Sequence, residues 1–315
     1  MVFRTVHNNF IQRLVFSQVF CLRFVLLMSA IWGAVFISAD AVSAESHDIN
    51  PQLSLTQEEA AFLKTHPILR IHAEANWPPF NFMEYGQPKG FVNDYIRLLA
   101  DVSGLKFQFV TGYSWDEYVE MLNNNEIDLI SNMTITPERK KTTLFSEQGV
   151  VDVAVGLLTH KGNTEAKDLD SIRDNNLVLG VVKGFYHEEL IKRHYPEITL
   201  LLASDIPDLI SLVSKGKADV ALSTYAAISF YLNRDQHTEL QNSIILKHSL
   251  FFPSTEHIGI NIEDKPLKGI LDKAMKLITE EQLQSLQARW PVAIEQQSGA
   301  LDNGDQWSED EKTYF

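Results

Sequence analysis

Ser131, Asn132, Thr134 and Thr136 crowd small hydrogen-bonding side chains into the segment SNMTITPERKK, residues 131–141, directly behind the apolar run Ile127 to Ile130, and Arg139 closes the group. Arginine presents a planar fork that grips a carboxylate through two hydrogen bonds, each charge-assisted bond contributing on the order of 1.5–3 kcal/mol. Short hydroxyls and a carboxamide beside such a fork supply the remaining donors and acceptors for a small anion. Thr136 suits a helix N-cap and Pro137 the first helical position, so a helix is predicted to start here with its free N–H groups and positive dipole end turned toward a ligand. Arg139 in that first turn opposes the dipole, and a bound anion would compensate both. Pairing of Arg139 with Glu138 or another surface carboxylate is the plain structural alternative.

A strand has to deliver these residues, and two segments of the chain echo each other in doing so. Tyr118, Met121 and Leu122 show helical spacing behind the capping box Ser114 to Glu117, then Glu126-Ile127-Asp128 leads into the strand ending at Ser131. Leu209, Leu212 and Val213 show similar spacing, then Lys217-Ala218-Asp219 leads into Val220 to Leu222 and Ser223-Thr224-Tyr225. A helix feeding a short apolar strand through a tight polar turn is half of a parallel crossover, so the echo predicts two α/β lobes of similar build. Ligands of open α/β sheets sit beyond the carboxyl ends of the parallel strands, which is where residues 131–136 fall. Upstream, Thr56 to Glu59 is a capping box that opens a short helix. Ile68 to Ile71 then reads as a strand running into Trp77-Pro78-Pro79-Phe80, where two prolines enforce an extended loop walled by aromatics. A further capping box, Thr279 to Gln282, starts a helix that should stop at Pro291.

Composition bounds the function. The chain has 315 residues, 45% hydrophobic and 22% charged, and a net charge of -14, which lacks the basic footprint that nucleic-acid binding requires. Arg4, Arg13 and Arg23, the apolar stretch Phe24 to Ser38 and the small residues Val42-Ser43-Ala44 read as a secretory signal peptide ending at residue 44. Its removal takes the single cysteine, Cys21, and brings the charge to -16. The mature chain is expected to be soluble, exported and free of disulfides. No G-x-S-x-G, H-E-x-x-H or phosphate loop occurs, and the ten histidines form no metal-ligand pattern, so neither a cofactor nor a metal is expected. His187 is expected to be an exposed residue of a helix's first turn, although His187 with Glu188 could in principle perform acid–base chemistry.

Four segments in order, LRIHAEANWPPFNFMEYGQPKGFVNDYIRLLADVSG (69–104), NEIDLISNMTITPERKKTTLFS (125–146), GVVKGFYHEELIKRHYP (180–196) and KADVALSTYAAISFYL (217–232), resemble the bacterial extracellular solute-binding proteins of family 3. The likeness is to the amino-acid-binding type, and in particular to the Venus-flytrap sensor modules carried in front of histidine kinases. It implies an α/β, bilobal, periplasmic-binding-protein-like fold of type II, two lobes joined by two crossover strands. Residues 45–66 would form a lead-in with a short helix, 67–160 and 253–292 lobe one, 161–252 lobe two, and 293–315 an acidic tail.

The resemblance places the ligand's α-carboxylate on Arg139, helped by Asn132 and Thr134, and turns Glu74 and Trp77 toward the ligand's side chain. Lobe two would contribute the turn Gly184, Phe185 and Tyr186. Members that bind amino acids usually carry an Asp for the ligand's ammonium where this chain has Thr224, which weakens an amino acid and admits a carboxylate without an amino group. Trp77, Phe80, Tyr113, Trp115, Phe185, Tyr186 and Tyr225 are candidates for an aromatic cleft, with Trp77 and Tyr225 favoured. The expected protein is a monomeric periplasmic receptor for a small carboxylate-bearing solute, serving an ABC-transporter permease or a membrane sensor kinase; a dehydratase-like enzyme on the same fold is the alternative.

Overall fold

The computed structural model describes residues 49–244, 251 and 254–290, so the predicted leader and acidic tail lie outside the described residues. The capping box at Thr56 forms as read: Glu59 accepts from the Thr56 N–H at 2.6 Å and returns its own N–H to the Thr56 hydroxyl at 3.2 Å, opening the helix Gln57–Thr65. Glu59 also accepts from Lys273 at 2.6 Å, which fastens this helix to the helix Lys265–Met275. The approach is close enough that a Cβ on Gly269 would stand 2.5 Å from the Glu59 carboxylate.

Fourteen strands are described, and they form three sheets. β1 (Leu69–His72) leads to a small antiparallel sheet of β2 (Asn76–Trp77), β3 (Asn81–Glu84) and β4 (Gln87–Lys89). β5 (Phe107–Val110), β6 (Leu129–Thr134), β7 (Thr143–Phe145) and β8 (Val151–Val153) follow, then β9 (Val155–His160), β10 (Leu179–Val182), β11 (Leu200–Ala203), β12 (Val220–Thr224), β13 (Leu240–Ile244) and β14 (Ser254–Asn261). The first lobe's sheet runs β5-β1-β6-β14-β7, with β8 also paired to β14; the second lobe's runs β11-β10-β12-β9-β13. β1 is parallel to β5 and β6, and β10 is parallel to β11 and β12, so each lobe has the crossover build that the echo predicts.

The echoed aspartates have a common task. The Asp128 carboxylate accepts from the Arg70 backbone N–H at 2.6 Å while its own N–H donates to the Arg70 carbonyl; Asp219 does the same to Val178, at 2.8 Å through its carboxylate. Each pins the start of a parallel neighbour strand where regular ladder bonding has not yet begun. Asp128 is buried and also holds the Arg70 guanidinium at 2.7 and 3.1 Å, whereas Asp219 is exposed.

Two expectations about the framework are corrected. β9, expected in lobe one with residues 67–160, is bonded on both sides into the second sheet, to β12 and β13, so the chain changes lobes at Ala154. The run Val155 to Leu158 is buried on both faces, which leaves no alternation by which sequence could assign the sheet. The helix expected from Pro137 shrinks to one tight turn, Arg139–Lys141, because Thr143 must already pair with β14. The Arg139 N–H still reaches the Thr136 hydroxyl at 3.2 Å, but one turn carries no useful macrodipole.

Lobe one packs Leu69, Ile71, Leu129, Ile258 and Ile260 under the helices Phe91–Ser103 and Lys265–Met275; lobe two packs Leu157, Leu179, Val181, Val220 and Leu222 against Leu190 and Ile191. Replacing Asp128 with Ala should lower stability by about 2–3 kcal/mol, since a buried acceptor of charge-assisted bonds is lost, and Asp219→Ala by about 1 kcal/mol or less. Urea denaturation of the two variants checks the order; equal effects would contradict the pinning role assigned to the buried pair.

Candidate functional site

The crowded residues behind β6 build a cross-linked polar floor. Asn81 stands at its centre: its amide donates to Asn132 at 2.9 Å, and its carbonyl oxygen accepts from the Glu74 N–H at 3.0 Å and the Asn93 amide at 2.9 Å. Asn132 donates to Glu74 at 3.3 Å, and the Thr134 hydroxyl donates to Glu256 on β14 at 2.6 Å. His72 accepts the Ser131 N–H on Nδ1 at 3.0 Å, which leaves Nε2 to carry the ring proton, 3.6 Å from the Glu74 carboxylate. Buried polar groups in such numbers persist only when they satisfy one another, and that accounts for the run of small side chains after an apolar strand.

Arg139 turns inward over this floor, its side chain 11% exposed. One guanidinium nitrogen donates to the Thr134 carbonyl at 3.0 Å and the other crosses to lobe two, donating to the Gly184 carbonyl at 3.1 Å. Trp115 lies under the charge, 5.5 Å from ring centre to guanidinium carbon, and Glu189 comes to 4.0 Å of Nε. Burial pulls the guanidinium's pKa below the usual arginine value, with Glu256 and Glu189 working against that. Gly184 can offer its carbonyl because its φ is +76°, a left-handed turn where a Cβ would also press to 3.1 Å from Trp115.

A small cleft with a cavity volume of ≈ 30 Å³ lies between the lobes at this point. Of the residues predicted for the site, Glu74, Trp77, Asn132, Thr134 and Arg139 line it from lobe one, and Phe185, Tyr186 and Thr224 from lobe two. Gly184 takes part through its carbonyl on Arg139. Trp77 closes one side by donating its indole N–H to the Thr224 hydroxyl at 3.1 Å. Tyr225 is not brought in: it begins the helix Tyr225–Arg234, its N–H bonds to the Ala154 carbonyl at 2.8 Å and its ring packs on Gly156, at the crossing between lobes. Phe80 lies buried beside Trp77, 4.6 Å between ring centres, and Tyr113 is exposed.

Trp115, a less favoured candidate for the aromatic cleft, is a wall of it. Two lining residues escape or contradict the sequence reading. Glu256 lines it from β14, where it sits among Ser254, Thr255 and His257, so nothing in the local sequence singled it out. His187, expected to be exposed, is 1% exposed and lines the cleft, because the helix Tyr186–His194 turns its first residues inward. Glu188, its conceivable acid–base partner, is bonded instead to the Gly184 N–H at 2.6 Å and to Lys192 at 2.6 Å. No group of three His, Cys, Asp or Glu side chains among the described residues could hold a metal ion.

The cleft therefore combines one guanidinium, two carboxylates and a neutral imidazole. Burial raises the Glu256 pKa to about 7, helped by Glu74 and opposed by the Thr134 hydrogen bond and by Arg139. Burial, and then the Arg139 charge, lowers the His187 pKa to about 3, so the ring is uncharged at any ordinary pH. A carboxyl whose folded pKa exceeds its unfolded value of 4.5 contributes stability in full below 4.5 and loses it as pH rises through about 7. An imidazole lowered from 6.5 to about 3 does the reverse, losing its contribution as pH falls from 6.5 toward 3, so the two oppose each other in between. The difference between wild type and Glu256→Gln isolates the first: across pH 4.5 to 7.5 wild type should lose on the order of 3 kcal/mol relative to the variant. Urea denaturation at several pH values measures it, and a difference that stays flat would place Glu256 in water.

A sequence model of the bacterial extracellular solute-binding proteins, family 3, matches residues 69–293. The virulence sensor protein BvgS of Bordetella bronchiseptica is 23% identical over 234 residues, 74% of this chain but 18% of that protein, so the chain spans under a fifth of its length. The probable histidine-binding protein of Neisseria gonorrhoeae is 24% identical over 219 residues, covering 68% of this chain and 78% of that one. Among solved structures, the Bordetella pertussis BvgS periplasmic VFT2 domain shares the fold with a TM-score of 0.63 at 21% identity, over 75% of this chain and 98% of that domain. The family match takes in all three sheets and every residue that lines the cleft, and the chain belongs to the bacterial extracellular solute-binding proteins, family 3.

Proposed function

We propose that the chain captures a small α-amino acid between its lobes, with Arg139 on the ligand's carboxylate and Glu256 and Glu74 on its ammonium. One observation carries this reading: Arg139 and Glu256 are both attached to Thr134, the first to its carbonyl at 3.0 Å and the second to its hydroxyl at 2.6 Å, so buried charges of opposite sign face one cleft. A carboxylate without an amino group, which Thr224 admits, would satisfy Arg139 and leave Glu74 and Glu256 facing the cleft without a cation. Breaking or omitting one partner of a buried pair costs about 3–5 kcal/mol, so the zwitterion fits better. Glu256 then supplies from β14 the negative charge that relatives of the amino-acid-binding type place at the position of Thr224.

Binding closes the two lobes, 67–154 with 254–290 and 155–244, about the paired strands β8 and β14. The names of the relatives support a periplasmic ligand-binding receptor or sensor module; on our reading it is a monomer that hands its signal or its cargo to a membrane partner, either a sensor kinase or an ABC-transporter permease. Catalysis is the weaker reading, because Glu188 lies off the cleft and His187 stays uncharged.

Calorimetric titration with alanine and with propionate, its deaminated counterpart, together with a thermal-shift screen of the other amino acids, tests the proposal. An amino acid at a hundred times its dissociation constant adds about 2.7 kcal/mol to stability, an easily visible shift. Arg139→Ala should weaken the tightest-binding amino acid by about 100-fold or more, the loss of two charge-assisted bonds. Undiminished binding in that variant, or deaminated acids bound as tightly as amino acids, contradicts the assignment.

A further inference from the structure

Two polar side chains that line the cleft have orphan atoms. Neither ring nitrogen of His187, and not the indole N–H of Trp115, has a hydrogen-bond partner among the described residues, although the two side chains are 1% and 8% exposed. Buried polar atoms are nearly always paired in folded proteins, and each orphan raises the free energy of the fold until a partner arrives. The two come from opposite lobes, Trp115 from the first turn of the helix Trp115–Asn123 and His187 from that of Tyr186–His194.

Both stand around Arg139. Its guanidinium lies over the Trp115 ring, and it reaches across to the Gly184 carbonyl, three residues before His187, whose ring feels the arginine's charge. The imidazole packs at a tilt against Tyr186, 4.0 Å between ring centres, and lies 5.8 Å from Phe251, a pocket that a phenylalanine would fill with no orphan atoms at all. A cation has no place beside the guanidinium. N–H donors grouped with a guanidinium suit the oxygens of an anion.

On the amino-acid reading above, we infer that Trp115 and His187 complete the carboxylate subsite, donating an indole N–H from lobe one and an imidazole N–H from lobe two to the oxygens that Arg139 holds. The ligand's carboxylate, and not its side chain, is then the group that bridges the lobes. His187 acts as a neutral donor and needs no proton from solution to do so. An inorganic oxyanion such as sulfate offers similar acceptors but nothing for Glu74 and Glu256, and it serves as the contrasting probe.

The test compares wild type, His187→Phe, His187→Gln and Trp115→Phe in calorimetric titrations with three probes: the amino acid that binds tightest in a screen of the twenty, the α-carboxamide of that same amino acid, and sulfate. His187→Phe and Trp115→Phe should each weaken the acid by about 10- to 100-fold and leave the carboxamide little changed. His187→Gln restores a side-chain N–H and should recover most of the acid's affinity, a rescue that a purely packing role would not give. Acid bound by His187→Phe as tightly as by wild type, or acid and carboxamide weakened by one common factor, overturns the subsite. Sulfate bound more tightly than any amino acid and lost in His187→Phe upholds the subsite and overturns the amino-acid reading; no binding of any probe by wild type overturns both.

Discussion

An arginine cannot shed its charge, so a guanidinium drawn into a water-poor cleft must find acceptors, and Arg139 finds them in both lobes. The Thr134 carbonyl answers from lobe one and the Gly184 carbonyl from lobe two, with the Trp115 face beneath and Glu189 at 4.0 Å. Much else about the site follows from that demand. The turn at Gly184 must be left-handed to present its oxygen, the floor must be built of side chains small enough to let the arginine fold inward, and the two lobes must meet where it crosses. Neighbouring cross-lobe bonds reinforce the meeting, from Trp77 to Thr224 at 3.1 Å, Thr136 to Glu189 at 3.0 Å and Asn76 to Asp205 at 2.8 Å.

Around this fixed charge, burial shifts two groups of the cleft toward their neutral forms. Glu256 lies near the midpoint of its titration at pH 7, and His187 is uncharged. A low-dielectric site with one permanent cation and one adjustable carboxylate, Glu256, accommodates a ligand whose own charges cancel more readily than one that adds a net charge. Specificity of this kind depends less on shape than on leaving no buried group without a partner.

Much of this was legible in the chain. Capping boxes at Thr56, Ser114 and Thr279 announced helices because their signal is local, a side chain answering a backbone group three residues away. The repeated approach to Asp128 and Asp219 announced two lobes because each copy satisfies the same strand-start problem within its own sheet. The sheet membership of β9 was not legible, since a strand buried on both faces shows no alternation. Nor was the inward turn of His187: its neighbours Glu188 and Glu189 read as a solvated helix start, and the aromatic packing of Phe185, Tyr186 and Phe251 around the ring is a long-range arrangement that local sequence does not show. Tyr225 was misplaced for a related reason, as a one-residue step from Thr224 at a strand end separates the cleft wall from the crossing. The helix expected at Pro137 had sound local signals and lost to the long-range pairing of β7 with β14.

Glu256 occupies an unusual position mechanically. It pairs with Val151 of β8 on one side and with Thr134 of β6 on the other, so a cleft residue is also part of the strand pair at which the chain changes lobes. Charge placed there acts at the fulcrum. A slight twist of two adjacent strands at a pivot sweeps the far rims of the lobes through a wide arc, whereas the same displacement at a rim would barely move the pivot. Gain or loss of a single proton or ammonium partner at that residue is thus applied where leverage is greatest.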